Sequence, residues 1–332
     1  MIEKFELHTD VLVLGSGPSG FAAAYSAAKN GAAVILVEQS GDVGGISTSG
    51  LMSHWTGSCG SPLYYEILKR TSRNNEGAFK NKITNLIDPE KLKTLYLEML
   101  YEVGCKVMLY TFAEDAICDG DKVLGATVIN KSGKTDIYAK ITIDATGDGD
   151  IAARAGAEFV LGRESDNKMQ PATLMFKIGG VDYDRAVFLG SFESTYETSQ
   201  GELQALAKEH IPLPAGHILT YETTLPGVVT CNMTNAIDID GTNAEDLTRA
   251  TLTCRRQMDA IVKYLREFVP GYENCYVISS ASLMGVRETR HFKGKYTLNE
   301  QDILEAKIFD DYVVRDAYFN FDVHNITGAG LD

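Results

Sequence analysis

The chain has 332 residues, 44% of them hydrophobic and 23% charged, with a formal net charge of −14. That length fits two globular cores better than one. The acidic balance excludes a nucleic-acid surface, which needs clustered Lys and Arg, and no run approaches the roughly 18 apolar residues of a membrane span. The opening residues, MIEKFELHTD, lack the apolar stretch of a secretory signal. Cys59, Cys105, Cys118, Cys231, Cys254 and Cys275 include no C-x-x-C pair. Separate buried thiols in a reducing cytoplasm are therefore expected, with no disulfide framework, zinc site or iron–sulfur cluster.

Residues 11–14 are a short apolar run, of the kind buried on both faces of a parallel sheet. Gly15, Gly17 and Gly20 follow as G-x-G-x-x-G, with Ser16, Pro18 and Ser19 between them, and open a helix reaching about Asn30. Gly15 permits the tight turn, Gly17 admits a pyrophosphate close to the backbone, and Gly20 allows close helix–strand packing. An anion there meets unpaired N–H groups at the helix start. Ala24 and Ala28 continue the close-packed face, and Gly31 stands where a helix-ending glycine belongs. A second strand over 33–37 leads to Glu38 and Gln39. The Glu38 carboxylate is placed for ribose hydroxyls and disfavours a 2′-phosphate. This order marks a dinucleotide-binding unit, without separating a flavin from a nicotinamide cofactor.

Beyond Glu38, GDVGGIST carries Gly44 and Gly45, and SHWTG carries His54. Residues 105–143 read as short strands with turns at Asp119–Gly120 and Ser132–Gly133, the last strand running into Ala145, Thr146 and Gly147. Asp148 and Asp150 lack EF-hand spacing, so no metal is expected; one of them capping a helix from Ile151 is the better account. Residues 157–240 carry strand-like runs, with 181–211 open between helix and loop. Leu247, Ala250, Leu252, Met258, Ile261, Val262 and Leu265 then recur at helical spacing, with Asn243 as cap and Pro270–Gly271 as stop. YVISSASLMGVRETRHF runs strand-like into Arg287, Glu288, Arg290 and His291. An arginine beside a redox cofactor can hold a substrate carboxylate or stabilise an anion on the reduced ring. The alternative is an Arg–Glu pair joining two domains, favoured for Glu288 and open for Arg287 and Arg290. His324 is the first candidate for proton transfer and His54 the second, because imidazole titrates in the useful range.

The A-T-G at 145–147 resembles the second fingerprint of the two-dinucleotide-fold flavoproteins. MQPATLMFKIGGVD from Met169, NMTNAIDIDGTNAEDLTRA from Asn232, GVRETRHFKGKYTLNEQD from Gly285 and FDVHNITG from Phe321 are together similar to one broad bacterial family. It is the FAD-dependent oxidoreductase family that includes the flavin subunit of heterodisulfide reductases. The matches spread over essentially the whole chain, and G-V-R-E-T-R is the most specific.

The resemblance implies an α/β fold in three parts. A Rossmann-like FAD-binding domain, a parallel sheet with a β-meander, would span 1–156; a mixed α+β substrate domain would span 157–284; and 285–332 would be an incomplete return toward the FAD domain. FAD would be held by Gly15 to Gly20, Glu38, Gln39, Gly44, Gly45, Thr146 and Gly147, with backbone near Ala113 on the adenine. The implied activity is hydride transfer between the flavin and a small organic substrate. The rivals are a partner-dependent, non-catalytic nucleotide-binding subunit and an NAD enzyme, against which the A-T-G and the meander both count. The resemblance further implies a later segment that supplies a last strand and a helix at the flavin ring. An open sheet edge and an incomplete ring-end site are therefore expected. Such an edge suits a fragment, a chain whose remaining part is supplied by a separate chain, or a shortened product without redox chemistry, the first two being favoured; a homo-oligomer is a further expectation.

Overall fold

A computed structural model describes residues 4–57, 59–71, 86–314, 317–319 and 322–328. The chain opens with β1 (Lys4–Leu14), α1 (Pro18–Lys29) and β2 (Val34–Val37). Two helices absent from the sequence reading follow, α2 (Pro62–Thr71) and α3 (Pro89–Glu102), before β3 (Lys106–Met108). Then come β4 (Phe112–Asp119), β5 (Lys122–Asn130) and β6 (Gly133–Asp144). They form one six-stranded sheet in the order β3-β2-β1-β6-β5-β4. Its β3-β2-β1-β6 portion is parallel and its β6-β5-β4 portion is the antiparallel meander.

The centre of this arrangement follows from local chemistry. All four residues of β2 are buried, as for a strand covered on both faces. Helix α1 buries Gly20, Phe21, Ala24, Tyr25 and Ala28 along one stripe. Phe21 stacks on Tyr96 of α3 with ring centroids 3.9 Å apart. β1 is longer than its apolar run because β6 offers a continuous ladder, from Lys4 opposite Lys134 to Leu14 opposite Asp144. β5 pairs with β6 only up to Tyr138, so residues 139–144 have β1 on one side and no strand on the other among the described residues. Ile141, on that open stretch, is 58% exposed.

The second half begins with α4 (Asp150–Arg154), β7 (Phe159–Leu161) and β8 (Phe176–Gly179). The ambiguous stretch resolves into loop, a small hairpin of β9 (Glu197–Thr198) and β10 (Gly201–Glu202), and α5 (Leu203–His210). β11 (Thr220–Glu222), β12 (Val229–Cys231), α6 (Ala244–Phe268), β13 (Tyr276–Ser280), β14 (Arg290–Phe292) and α7 (Glu300–Leu304) follow. A four-stranded sheet, β11-β12-β8-β13, shares one core with α5 and α6. The Asn243 side chain caps α6 by accepting from the Glu245 and Asp246 N–H groups. Ala250, Met258, Ile261, Val262 and Leu265 face the core as the spacing predicts, whereas Leu252 is 50% exposed. Two residues beyond Ala250 a helix has turned about 200°, so Leu252 lies on the opposite side.

Candidate active site

The glycine loop adopts the geometry its residue types predict. Gly15 has φ +92°, and a Cβ there would lie 2.3 Å from the Ala145 carbonyl oxygen. A Cβ on Gly20 would lie 1.9 Å from the Gly15 carbonyl oxygen. Gly17 differs: a Cβ there would meet nothing within 4 Å, and Gly17 is the N-cap of α1, with Pro18 its first residue. Ser19 is exposed beside it. The second loop closes on the first. The Gly44 N–H donates to the Ser16 carbonyl (2.8 Å), and a Cβ on Gly45 would lie 2.9 Å from the Gly17 Cα.

Glu38 ties the loop to the end of β2. Its Oε2 accepts from the Ser16 N–H (2.9 Å) and Oγ–H (2.6 Å), and its Oε1 accepts from the Ser40 N–H (2.8 Å). Each carboxylate oxygen has two lone pairs, so Oε1 keeps capacity for a hydroxyl donor. Ser16 itself is fully buried and serves to hold Glu38, while Gln39 is exposed. Thr111 donates its N–H to the Glu38 carbonyl (2.9 Å), which places Ala113, two residues on, at the same end. The Ala113 carbonyl accepts from Arg154 Nη1 (3.2 Å).

The turn after β6 corrects one expectation. Neither Asp148 nor Asp150 caps α4; the cap position is Gly149, and the capping side chain is Asp144. Asp144 Oδ2 accepts from the N–H groups of Ile151 (2.8 Å) and Ala152 (2.7 Å), and Oδ1 accepts from the Thr146 N–H (3.0 Å) and Oγ–H (2.7 Å). Four donors converge on one carboxylate because the strand end aims it straight at the helix start. Gly147, at φ +92°, is open like Gly17, with nothing within 4 Å of a would-be Cβ. Asp148 instead accepts from the Thr289 hydroxyl (2.8 Å).

Beyond the second loop lies a cavity of about 480 Å³, reached at Ile46, whose wall includes Met52, Met175, Phe192, Leu219, Tyr221, Asn232, Arg287, Asp322 and His324. Gly285 packs on Ile46, its would-be Cβ 3.5 Å from Ile46 Cδ1. His324 is buried, and its Nε2 lies 3.1 Å from Asp322 Oδ1. Its pKa falls to about 4, chiefly through burial and secondly through the positive Arg287 nearby, with Asp322 opposing. Burial also lowers His54 and His217 and raises Tyr221.

The model of the FAD dependent oxidoreductase family matches residues 10–331. The chain belongs to that family, and its cofactor is FAD. Two curated archaeal proteins are similar. A digeranylgeranylglycerophospholipid reductase 2 of Methanosphaera stadtmanae is 31% identical over 213 residues, 56% of this chain and 51% of that protein. A digeranylgeranylglycerophospholipid reductase of Picrophilus torridus is 28% identical over 158 residues, 43% of this chain and 40% of that protein. The chain thus spans about half the length of these relatives. Among solved structures, a geranylgeranyl bacteriochlorophyll reductase-like protein of Thermoplasma acidophilum superposes with TM-score 0.56 at 18% identity, covering 84% of this chain and 66% of that one. That likeness shows a shared fold. The relatives are largely archaeal, where the sequence resemblance pointed to a bacterial family. No described helix is long and apolar enough to cross a membrane.

The predicted chemical residues separate into two groups. Arg287 and His324 stand together in the cavity wall. Arg290 does not: its Nη1 donates to the Asp148 carbonyl (2.7 Å) and to Asp150 Oδ1 (2.9 Å), with the guanidinium 5.4 Å from the Phe159 ring centroid. Arg290 therefore fastens β14 to α4, the structural alternative. Glu288 is also structural, but its partners are the Gln170 N–H (2.9 Å) and His291 Nε2 (2.8 Å), not an arginine. His54 stacks behind Tyr221, centroids 5.1 Å apart, and is not a wall residue. Sequence reasoning missed Asp322, Tyr221, Asn232 and Asp144. Asp322 had a signal, standing two residues before His324; the others had none beyond the motifs that contain them.

Proposed function

We propose that the chain is an FAD-dependent oxidoreductase that holds the cofactor on the two glycine loops and exchanges a hydride between the flavin and a small organic substrate in the Arg287–His324 cavity. One observation carries this reading: the second loop closes on Gly17 and its next residue, Ile46, is already cavity wall. A cofactor anchored at Gly17 and Gly147 thus has one continuous path to the cavity. The open Cβ positions at these two glycines fit a pyrophosphate approaching the backbone, Glu38 Oε1 is available to a ribose hydroxyl, and backbone near Ala113 is placed for the adenine. When bound, the flavin supplies the two-electron chemistry.

The chain's own contribution is to position and move a proton. With Asp322 ionised, His324 keeps its proton on Nε2 toward that carboxylate, which leaves Nδ1 as the acceptor. A depressed pKa keeps the ring neutral at neutral pH, with Nδ1 unprotonated. We place the protein in the cytoplasm, on its free cysteines. The test is a visible spectrum of the purified chain after FAD addition and desalting. A retained flavin spectrum, lost in Gly17→Glu, supports the reading; a chain that takes up no flavin, or a Gly17→Glu variant that keeps it, overturns the site.

A second reading, a nucleotide-binding subunit completed by a separate chain or a second copy, is favoured by the unpaired stretch of β6. It expects self-association or capture of a partner that Ile141→Lys abolishes; a monomer that turns over alone refutes it.

A further inference from the structure

We propose that the cavity selects an organic anion and that Arg287 holds its carboxylate. This rests on the cavity being the substrate site. The guanidinium lines the cavity and is accessible from it, yet it makes no hydrogen bond or ion pair with any described residue. Its neighbours in the G-V-R-E-T-R run differ: Glu288 is held by Gln170 and His291, and Arg290 by Asp148 and Asp150. The nearby carboxylate, Asp322, acts on Arg287 through space without a hydrogen bond to it, and lies 3.1 Å from His324 Nε2. Glu193, the other acid of the wall, is exposed.

Arg287 is exposed where it lines the cavity, and its guanidinium cannot shed its charge. The five N–H donors of its planar fork make no hydrogen bond to a described residue. A planar carboxylate satisfies that fork bidentately. Met52, Met175, Phe192 and Leu219 supply an apolar surface for the rest of the molecule, so the ligand class is a small monocarboxylate with a compact hydrocarbon or aromatic body. The His324–Asp322 pair then lies beside an anchored substrate, which is where a proton acceptor is useful.

The experiment uses the whole chain, with and without FAD. Benzoate and butyrate are titrated against their neutral isosteres, benzamide and butyramide. The readouts are thermal stabilisation and the emission of Trp55, the only tryptophan, which stacks on Tyr64 and adjoins the wall residue Thr56. The carboxylates are expected to bind about 10- to 100-fold more tightly than the amides, the difference a charge-assisted hydrogen-bonded pair makes. Arg287→Gln should remove that preference while the denaturation midpoint and FAD affinity stay within error, and Arg287→Lys should retain part of it. Equal binding of acid and amide overturns the proposal. So does an Arg287→Gln variant that keeps the preference but loses FAD affinity, since the arginine would then serve the flavin ring. Absence of a flavin spectrum counts against the proposed function alone, because the carboxylate preference is read without cofactor.

Discussion

Substituting alanine at Gly17 and at Gly20 separates packing from ligand approach within one motif. An alanine Cβ at position 20 would sit 1.9 Å from the Gly15 carbonyl oxygen and 3.1 Å from the Ala145 Cβ. Real Cβ contacts essentially never fall below 3.0 Å, so helix and loop must part by about 1 Å. Gly15 cannot yield, because its own N–H is bonded to the Val37 carbonyl (2.8 Å) and its Cα faces the Ala145 carbonyl. The expected cost is about 3 kcal/mol, the upper range for overpacking, or a fall of roughly 6–12 °C in Tm. At position 17 the Cβ meets nothing and φ is −58°, which alanine adopts freely. Gly17→Ala should therefore change stability by less than about 1 kcal/mol, yet weaken FAD binding at least about tenfold, because the methyl occupies the approach to the pyrophosphate. Urea denaturation without FAD and flavin titration of each variant read the two effects. A Gly20→Ala protein as stable as the parent refutes the packing argument, and a Gly17→Ala protein with parental FAD affinity refutes the placement of the cofactor.

Three further outcomes are expected. Asp144→Ala removes the acceptor for four donors and should cost about 2 kcal/mol by urea unfolding, with weaker FAD binding because Thr146 and Gly147 lose their anchor. Arg290→Met should cost about 1–3 kcal/mol by leaving Asp150 without its partner, while flavin affinity stays unchanged; a selective loss of affinity would return Arg290 to the cofactor site. For His324, the folded pKa of about 4 lies below the ordinary 6.5, so between those values the unfolded chain binds more protons. The stabilisation is full above pH 6.5 and is lost as pH falls toward 4, by on the order of 3 kcal/mol at most. His54 and His217 shift in the same direction. Urea midpoints at pH 5 and pH 7 should differ less in His324→Gln than in the parent protein; an equal difference shows that His324 does not carry the effect.

The dinucleotide unit was legible because each of its constraints is local. Gly15 and Gly20 are glycine for steric reasons that act within a few residues or against an adjacent strand, and Gly31 ends α1 at φ +91°. The same holds for α6, whose cap at Asn243 and buried stripe follow from periodicity alone. Asp144 was not legible. As the last residue of a strand it has no pattern of its own, and its four hydrogen bonds exist only because the chain turns back through Gly147 and Gly149. Helices α2 and α3 are absent from the sequence reading although α3 carries local signals, with Asp88 capping the Glu90 and Lys91 N–H groups and Pro89 at its first position.

The cavity shows what dispersed motifs can and cannot convey. The four segments whose wording resembled a family contribute Gln170 and Met175, Asn232, Arg287, and Asp322 with His324 to one wall. Their separation in sequence hid this convergence, and only folding reveals that Gln170 joins two of them: its N–H donates to Glu288 (2.9 Å) and its Oε1 accepts from the His324 N–H (3.0 Å). Residue type alone made Arg287 and Arg290 equivalent candidates. Their roles differ because Arg290 finds a carboxylate at 2.9 Å on α4 and Arg287 does not find one. Arg287 is exposed to the cavity and keeps its guanidinium fork free of protein partners among the described residues, so it is available to an anion that enters. The carboxylate titration therefore discriminates between these two otherwise similar side chains.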